Sequence, residues 1–433
     1  MTKNTTPLHQ RFYVYLIIFL CVLFLLSIKS IQKMTYNAVN SPICKGCNIV
    51  LIVIDPLRAD ALPCYGYLKN TAPNICAFAK NNTLYTNTFS QSSWTLPSIM
   101  SLFSSQYPSN HNVFIPNVDV LPATMTTLPM ALQNAGYKTT FIGPVNEGSR
   151  HVPLDKGLSR GFDRIAPYIS LNDAAAILDN ELQSATSNKP AFIFIHSFDL
   201  RNDSVKTAPT IFPLDPQYTY GYIDPYLRSV TLKTQESKGN ITSYRRIYDE
   251  RLRQLDEQFP AILQSITHTN TLKNTVVALT SNHGDEFGEH GQSSHGNNLY
   301  KTVTHVPFIL AIPNQKPKQS NNIIQSIDIY PTLLSAVGVR VPSSVRGVNV
   351  LLNSYTQNVI QNPYSISQLE PEKNLAAIRN HEWAYYFRPS DQPNKGILYN
   401  LLTDPNETSP IQTPDQKLID LFVKKYHEIL SKK

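Results

Sequence analysis

Short apolar segments that end at polar residues recur along this chain, and they constrain its fold more than any other feature. The clearest runs from Asn48 to Asp55 (NIVLIVID). A continuous β-branched segment of this length is typical of a strand buried on both faces, as in a parallel sheet. Four further segments have the same form: Thr139–Pro144, Ala191–Phe198, Asn274–Thr280 and Val306–Ile312.

Helical patterns lie between these predicted strands. They are Ala72–Lys80, Leu128–Ala135, Leu171–Leu182 and Tyr244–Ile266, and a further helix is predicted at Ile324–Val337. Alternation of strands and helices predicts an α/β fold with a doubly wound sheet. Ligand sites in such sheets form beyond the carboxyl ends of the strands, which is where Asp55 stands.

The N-terminal part has a different character. An uncharged apolar run at 12–28, flanked by Arg11 and Lys29, has about the length of a short membrane-spanning helix. A cleaved signal peptide is the alternative, but no convincing small-residue cleavage site follows the run. We therefore expect a single-pass membrane protein whose globular part lies outside the cytoplasm.

After about residue 345 the pattern changes again, and antiparallel strands are predicted at Leu375–Phe387 and Gly396–Leu402, followed by an amphipathic helix at Lys417–Leu430. A polar segment rich in Pro and Tyr at 200–243 is predicted to be a surface insertion near the site. The predicted organisation is a tail at 1–11, an anchor at 12–28, a stalk at 29–46, a main domain at 47–345 and a C-terminal subdomain at 346–433.

The charge distribution argues against one class of partner. The chain carries 38 Lys and Arg residues against 31 Asp and Glu residues, a net charge of +7. These basic residues are scattered and form no dense run with interleaved aromatic residues. The sequence therefore predicts no nucleic-acid binding, whereas weak attraction to an acidic membrane surface is compatible with it.

Four cysteines, Cys44, Cys47, Cys64 and Cys76, cluster near the start of the globular part. A zinc ribbon requires two close pairs, and the second two cysteines stand too far apart in sequence for one. Two disulfides in an oxidising compartment are the preferred interpretation, with three pairings open. Free thiols in a cytosolic domain are the alternative.

The segment Ser92–Phe103 contains a hydroxyl residue, Thr95, two positions before Pro97. Because proline is tolerated in the first turn of a helix, Thr95 is predicted at or just before a helix start. Free backbone N–H groups there favour an anion, so Thr95 is a candidate nucleophile toward a phosphate or sulfate ester. An ordinary helix N-cap is the alternative.

Several of these segments together resemble the sulfatase branch of the alkaline phosphatase superfamily. They are NIVLIVIDPLRAD at 48–60, WTLPSIMSLF at 94–103, SNHGDEFGEHG at 281–291, the segment His295–Pro313, DIYPTLLSAVG at 328–338 and LYNLLTDPNE at 398–407. The resemblance implies an alkaline-phosphatase-like α/β/α sandwich with a smaller C-terminal α+β subdomain. It also implies attack of a metal-activated nucleophile on a sulfate or phosphate ester.

The position of the nucleophile departs from that of true sulfatases. Their pattern is Cys or Ser, any residue, Pro, Ser or Ala, then Arg, and the first residue becomes formylglycine. Here Thr95 takes that place, Pro97 and Ser98 match, and Ile99 replaces the arginine. Since threonine is not a known substrate of that conversion, Thr95 instead resembles the nucleophile of lipoteichoic-acid synthases and phosphoethanolamine transferases.

By the same resemblance, one divalent metal ion would be held by Asp55, Thr95, Asn282 and His283. Asn282 stands where aspartate is expected, and Pro56 where a second acid often follows. With imidazole, hydroxyl, carboxylate and amide ligands, zinc or manganese is favoured over calcium.

Two further histidines, His196 and His295, match positions that contact the ester, and ordinary hydrogen-bonded histidines are the alternative. In relatives a histidine follows the segment after His196, whereas Arg201 stands nearby in this chain. The sequence thus predicts an ester hydrolase or transferase with a phosphate- or sulfate-ester substrate, such as a lipid or an envelope glycan. The alternative is a degenerate member that binds an anionic headgroup or a partner without turnover.

Overall fold

The computed structural model of the protein describes residues 42–116, 118–144, 154–168, 170–201, 237–268, 274–351, 363–369, 371–390 and 393–431. The predicted tail, the anchor at 12–28, most of the stalk and most of the 200–243 insertion lie outside these residues. Among the residues that are described, no helix is long and apolar enough to cross a bilayer.

The main sheet runs through the centre of the molecule and has the strand order β10-β2-β9-β6-β1-β5-β3-β4. Its strands are β1 (Asn48–Ile54), β2 (Thr83–Phe89), β3 (Lys138–Gly143), β4 (Arg164–Pro167), β5 (Ala191–Ser197), β6 (Thr275–Thr280), β9 (His305–Ala311) and β10 (Lys318–Gln325). Two short strands, β7 (Glu286–Phe287) and β8 (Ser293–Ser294), form a separate pair. Every predicted strand of this domain is present.

The sheet is mixed, whereas the apolar segments alone suggested parallel strands. β1 pairs in parallel with β5 and β6, but β9 runs antiparallel to both β6 and β2. The prediction failed for β9 because a strand covered on both faces has the same apolar composition in either direction. β2 and β10 were not predicted because their sequences contain many polar residues, and β4 because it has only four residues and is partly exposed.

The helices cover both faces of this sheet. They are α1 (Pro73–Lys80), α2 (Thr95–Ser104), α3 (Pro108–His111), α4 (Leu128–Asn134), α5 (Leu171–Gln183), α6 (Ser237–His268), α7 (Lys301–Thr304), α8 (Ile329–Val337) and, near the C-terminus, α9 (Gln416–Ser431). Val50, Ile52 and Ile54 of β1 pack in the same core as α1, α5 and α6, and the alternate residues pack with α2, α4 and α8. The predicted α/β/α sandwich is therefore confirmed.

One predicted helix begins later than expected. Residues 324 and 325 still belong to β10, a 3₁₀ turn covers Ser326–Asp328, and α8 starts only at Ile329. The backbone N–H of Gln325 donates to the carboxylate of Asp328 at 2.8 Å, which favours a turn at this point over continued helix.

The C-terminal subdomain contains antiparallel strands, as predicted, and they form a sheet of four: β11 (Ser365–Gln368), which was not predicted, β12 (Ala376–Arg379), β13 (Trp383–Phe387) and β14 (Ile397–Asn400). Helix α9 packs against this sheet. The predicted strand at 375–387 is in fact a hairpin. Ser367 Oγ donates to the carbonyl of Ser90 at 2.6 Å, and the N–H of Gln368 donates to the carbonyl of Gln91 at 2.8 Å. The small sheet thereby holds the segment that leads into α2.

The four globular cysteines form two disulfides, Cys44–Cys47 and Cys64–Cys76. Of the three pairings that the sequence left open, the structure selects the one between nearest neighbours. The first disulfide lies beside α8, where the N–H of Cys44 donates to the carbonyl of Ala336 at 2.9 Å. It fixes the chain just before β1, and the second joins α1 to the turn that follows β1.

Removal of the two disulfides should destabilise the protein to different degrees. Cys64 and Cys76 are 12 residues apart, and Cys44 and Cys47 are 3 residues apart. From chain entropy, the free energy of unfolding should fall by about 3 kcal/mol in Cys64→Ser/Cys76→Ser and by about 2 kcal/mol in Cys44→Ser/Cys47→Ser. Urea unfolding of both double variants measures this order. Non-reducing peptide mapping is the control, and a Cys44–Cys64 or Cys47–Cys76 crosslink would contradict the pairing.

Candidate active site

The predicted site residues converge at the carboxyl ends of the three central strands. Asp55 follows β1, His196 lies near the end of β5, and Asn282 with His283 follows β6. Val53 of β1 is paired with His196 on one side and with Thr280 on the other, so the parallel register brings the strand ends level. Thr95, at the start of helix α2, lies beside Asp55 at these strand ends.

Asp55 is fully buried and is the centre of the cluster. One of its oxygens, Oδ2, accepts from Asn282 Nδ2 at 2.8 Å and from Thr95 Oγ1 at 3.1 Å. The other, Oδ1, accepts from Arg201 Nε at 2.8 Å. Burial by itself would raise the pKa of the Asp55 carboxyl, but the charge of Arg201 holds that pKa well below its usual range.

Thr95 is the first residue of α2, and the N-cap position belongs to Trp94, which makes no side-chain cap. The alternative interpretation of Thr95 as an N-cap is therefore wrong. Its hydroxyl instead lies 3.2 Å from His283 Nε2 and accepts from Arg201 Nη2 at 3.0 Å, in addition to the bond to Asp55. The hydroxyl is held by side chains from three other segments.

His283 is oriented as a hydrogen-bond acceptor toward Thr95. Its Nδ1 lies 2.7 Å from the carbonyl of Gly284, which can only accept, so Nδ1 carries the proton. Burial, with the neighbouring His295, lowers the pKa of His283 to about 3, and the ring is neutral at neutral pH. Nε2 is then unprotonated, and the Thr95 proton faces two acceptors, Asp55 and His283.

Arg201 lies at the centre of the site, which the sequence did not predict. It ends a 3₁₀ turn, Asp199–Arg201, directly after β5. Besides Asp55 and Thr95, its guanidinium contacts His295, where Nη2 lies 2.8 Å from Nε2. The signal available in the sequence was its place shortly after the carboxyl end of a predicted buried strand.

His295 is brought into the site as predicted, and a residue that was not expected to contribute orients it. Asp285 Oδ1 lies 3.0 Å from His295 Nδ1, so this ring nitrogen carries the proton and Nε2 accepts from Arg201. The rings of His295 and His283 are 4.4 Å apart. Asp285 therefore orients His295 through this contact.

His196 and Asn282 contribute buried polar atoms that have no hydrogen-bond partner among the described residues. His196 Nε2 approaches Asp55 Oδ2 to 3.3 Å without hydrogen-bonding alignment, and neither of its ring nitrogens is otherwise bonded. Asn282 donates its Nδ2 to Asp55, and its Oδ1 is buried and unbonded. Since buried polar atoms are rarely left unpaired, these atoms mark a place for a ligand.

The residues predicted to hold a divalent metal are together, but they suit such an ion poorly. In the part of the chain that the structure describes, no group of three or more His, Cys, Asp or Glu side chains is arranged to hold a metal. Asp55 is the single carboxylate of the four predicted ligands, and Asn282 turns its N–H donor toward it. The Arg201 guanidinium already bonds both Asp55 and Thr95.

Arg58, which follows Asp55 closely in sequence, does not belong to this cluster. It is buried and pairs with Asp60 at 2.7 Å and with Glu289 at 2.6 Å. Its Nη1 also donates to the carbonyl of Asp285 at 2.9 Å. Arg58 therefore holds the loop that follows His283 and has a structural role.

Known protein families and individual proteins are similar to this chain. A family model described as "Sulfatase" matches residues 47–339, and a second, "N-sulphoglucosamine sulphohydrolase, C-terminal", matches 288–432. Arylsulfatase K of Canis lupus familiaris is 25% identical over 49% of this chain and 41% of its own length. The chain thus spans less than half of that relative.

Two further similarities extend over most of the chain. A choline-sulfatase of Rhizobium meliloti (strain 1021) is 24% identical over 83% of this chain and 81% of its own length. The crystal structure of a phosphonate monoester hydrolase of Agrobacterium radiobacter superposes with a TM-score of 0.70 at 18% identity, covering 89% of this chain and 95% of that one. At that identity the structural similarity establishes the fold alone.

The ion pair between Asp55 and Arg201 can be tested by stability. Asp55→Asn leaves a largely buried guanidinium without its counter-ion, and we expect a loss of about 3 kcal/mol in the free energy of unfolding at neutral pH. Arg201→Gln should cost a comparable amount, and the double variant should lose clearly less than the sum. Urea denaturation measures all three.

The control for this cycle is Glu257→Gln, which removes the exposed partner of Arg253 in α6. That change should alter stability by no more than about 0.5 kcal/mol. If Asp55→Asn and Arg201→Gln instead add to within about 0.5 kcal/mol, the two side chains are not coupled as the structure has them.

Proposed function

The chain belongs to the sulfatase family, whose model matches 47–339, and on that premise we propose that it hydrolyses an anionic sulfur or phosphorus ester through Thr95. Sulfatase-family enzymes are generally metal-dependent, and the predicted zinc or manganese stays a prediction for this chain. The observation that carries the proposal is the Thr95 hydroxyl, held between two proton acceptors and one guanidinium donor.

The proposed reaction has two displacements. Thr95 Oγ1 attacks the sulfur or phosphorus atom, its proton passes to His283 Nε2, and the bond to the leaving oxygen breaks. Water then attacks the same atom of the Thr95 ester, the bond to Thr95 Oγ1 breaks, one proton of that water passes to Thr95 Oγ1, and the acid product leaves. The proton held by His283 returns to the departed alkoxide or aryl oxide through solvent, so that atoms and charges balance. With a hydroxyl compound in place of water, the same second step is a transfer.

The remaining polar groups of the site have plausible tasks in this scheme. The Arg201 guanidinium lies where a non-bridging oxygen of the ester would meet it, and guanidinium groups bind such oxygens with fixed geometry. His196 has unbonded ring nitrogens beside Asp55 for another ester contact. His295, oriented by Asp285, contacts the same Arg201 Nη2 atom as Thr95 and is the candidate contact for the leaving group.

The charges at Thr95 favour a substrate with one negative charge. The Asp55 carboxylate and the Arg201 guanidinium cancel, and His283 is neutral. A doubly charged phosphate monoester would bring an excess negative charge close to Asp55, which is costly at low effective dielectric. Sulfate monoesters, phosphodiesters and phosphonate monoesters each carry a single charge, so these classes are the proposed substrates.

The proposed setting is the outer face of a membrane, with residues 12–28 as the anchor. The two disulfides are consistent with an oxidising compartment, where such bonds persist. Substrates attached to a lipid or an envelope glycan would then be within reach of the site. Protease protection in membrane vesicles tests this placement, and digestion of the globular part only from the cytoplasmic side would exclude it.

A second candidate function is binding of an anionic group without turnover. Asn282 and Pro56 stand at two positions where the family has acids, and Arg201 hydrogen-bonds both Asp55 and Thr95. A site of this kind would retain a tetrahedral anion such as sulfate or phosphate. Stoichiometric binding of sulfate by calorimetry, with no cleavage of any ester tested, would favour this candidate over the enzyme.

The nucleophile is tested by Thr95→Val, which exchanges the hydroxyl for a methyl group of the same shape. We expect kcat for p-nitrophenyl sulfate or bis-p-nitrophenyl phosphate to fall by about 10³-fold or more, since the attacking oxygen is gone. Thr95→Ser should retain turnover. Thr86→Val, which alters a strand residue of β2 outside the site, is the matched control, and equal loss in both Val variants would exclude the assignment.

Charge selectivity is tested with one leaving group on several esters. The ratio kcat/KM should be higher by about tenfold or more for p-nitrophenyl sulfate, bis-p-nitrophenyl phosphate or a p-nitrophenyl phosphonate than for p-nitrophenyl phosphate at a pH where the last is doubly charged. A preference for the doubly charged monoester would contradict the charge balance of the site. The Thr95→Val protein supplies the background rate.

A further inference from the structure

The guanidinium of Arg201 lies in the middle of the site rather than at its rim. Its Nε donates to Asp55 Oδ1 at 2.8 Å, and its Nη2 donates to Thr95 Oγ1 at 3.0 Å. The side chain is 15% exposed, against 0% for Asp55. One planar cation therefore joins the acid at the end of β1 to the hydroxyl at the start of α2.

These two partners are the residues from which the resembled family would build the first half of a metal site. In this chain a positive charge bonds both of them. Any divalent ion placed between Asp55 and Thr95 would have to displace the guanidinium, break a buried ion pair and accept a neutral amide as its next ligand. Among the described residues, no group of three or more His, Cys, Asp or Glu side chains is arranged to compensate for that loss.

The residues at positions 282 and 56 are consistent with a guanidinium in the place of a divalent ion. Anionic oxygens favour binding of a divalent ion, and Asn282 and Pro56 supply none where the family has acids. A single guanidinium requires one carboxylate, and Asp55 is that carboxylate. Asn282, Pro56 and Arg201 are thus consistent with one another. The site has fewer carboxylates than the family pattern, and a cation with a single positive charge balances them.

We infer that Arg201 is the cation of this site, in the place that a divalent metal ion would take, and that the chain neither holds nor requires such an ion there. Where the site acts on an ester, which rests on the proposed function, the guanidinium neutralises the bound oxygens and the negative charge that develops during displacement. Arg201 contacts the reacting hydroxyl directly and is in this sense a catalytic residue.

Metal content decides the inference independently of turnover. The purified full-length chain is dialysed against zinc, manganese or calcium and then against metal-free buffer, and bound metal is measured by mass spectrometry of the elements. The same is done for the variant Arg201→Ala/Asn282→Asp, which removes the guanidinium and restores an acid. Arg253→Ala, which removes an arginine from the surface of α6, is the matched control.

The expected result is substoichiometric metal in the wild-type chain and in Arg253→Ala, with no rise in melting temperature when metal is added. Arg201→Ala/Asn282→Asp should gain about one ion per chain and a metal-dependent rise in melting temperature. Stoichiometric metal in the wild-type chain overturns the inference. Failure of the double variant to gain metal, with its fold intact by circular dichroism, overturns the assignment of Arg201 to the metal position.

Turnover in the same preparations separates this inference from the proposed function. Ester cleavage that persists in a chelator supports both. Cleavage that requires added metal overturns the inference and leaves the role of Thr95 in place. Absence of cleavage under every condition overturns the proposed function, while the metal measurements still decide whether Arg201 is the cation of the site.

Arg201→Lys, which keeps the charge but not the fork geometry, should lower kcat/KM by about tenfold or more.

Discussion

A buried carboxylate has to be paired, and at Asp55 this requirement brings together side chains from three segments of the chain. Asp55 is inaccessible to solvent, and an isolated charge in that position would be very costly. Its hydrogen-bond partners come from the loop after β6, the start of α2 and the turn after β5. Three elements far apart in the chain are thereby held at one point, next to the ends of the central strands.

The C-terminal subdomain contributes to this arrangement from outside the cluster. Its first strand bonds the backbone of Ser90 and Gln91, which lead into α2. Arg379, buried in β12, pairs with Glu407 at 3.1 Å and donates to the carbonyl of Leu299 at 3.0 Å, in the loop that follows His295. The small sheet thus supports the segments on either side of the site, although none of its described residues bonds Asp55.

Strands that are buried along their whole length could be predicted from the sequence, and strands whose burial changes along their length could not. β1, β5 and β6 are buried along their whole length, and their continuous apolar sequences identify them. β10 begins exposed at Lys318 and becomes buried only near Ile324, so its sequence has neither the continuous nor the alternating pattern. The direction of β9 could not be predicted, because composition responds to burial and not to strand polarity.

The sequence by itself determined which residues stand at the strand ends and which of the expected acids are absent. Asp55, Asn282 and His283 follow buried strands, His196 lies near the end of one, and the positions of Thr95 and Pro97 mark the start of α2. Their convergence follows from parallel register, which the strand pattern already implied. The two missing acids, at Pro56 and Asn282, were equally visible, because an absent carboxylate needs no structure to be noticed.

Only the tertiary structure decided what these residues do for one another. It selected one of three disulfide pairings, turned the Thr95 hydroxyl away from a capping role, and placed Asp285 against His295. Above all it brought the guanidinium of Arg201 into contact with both Asp55 and Thr95. Spacing along the chain cannot specify such contacts, since a long side chain at the end of a short turn can reach several directions, and the buried charge of Asp55 selects among them.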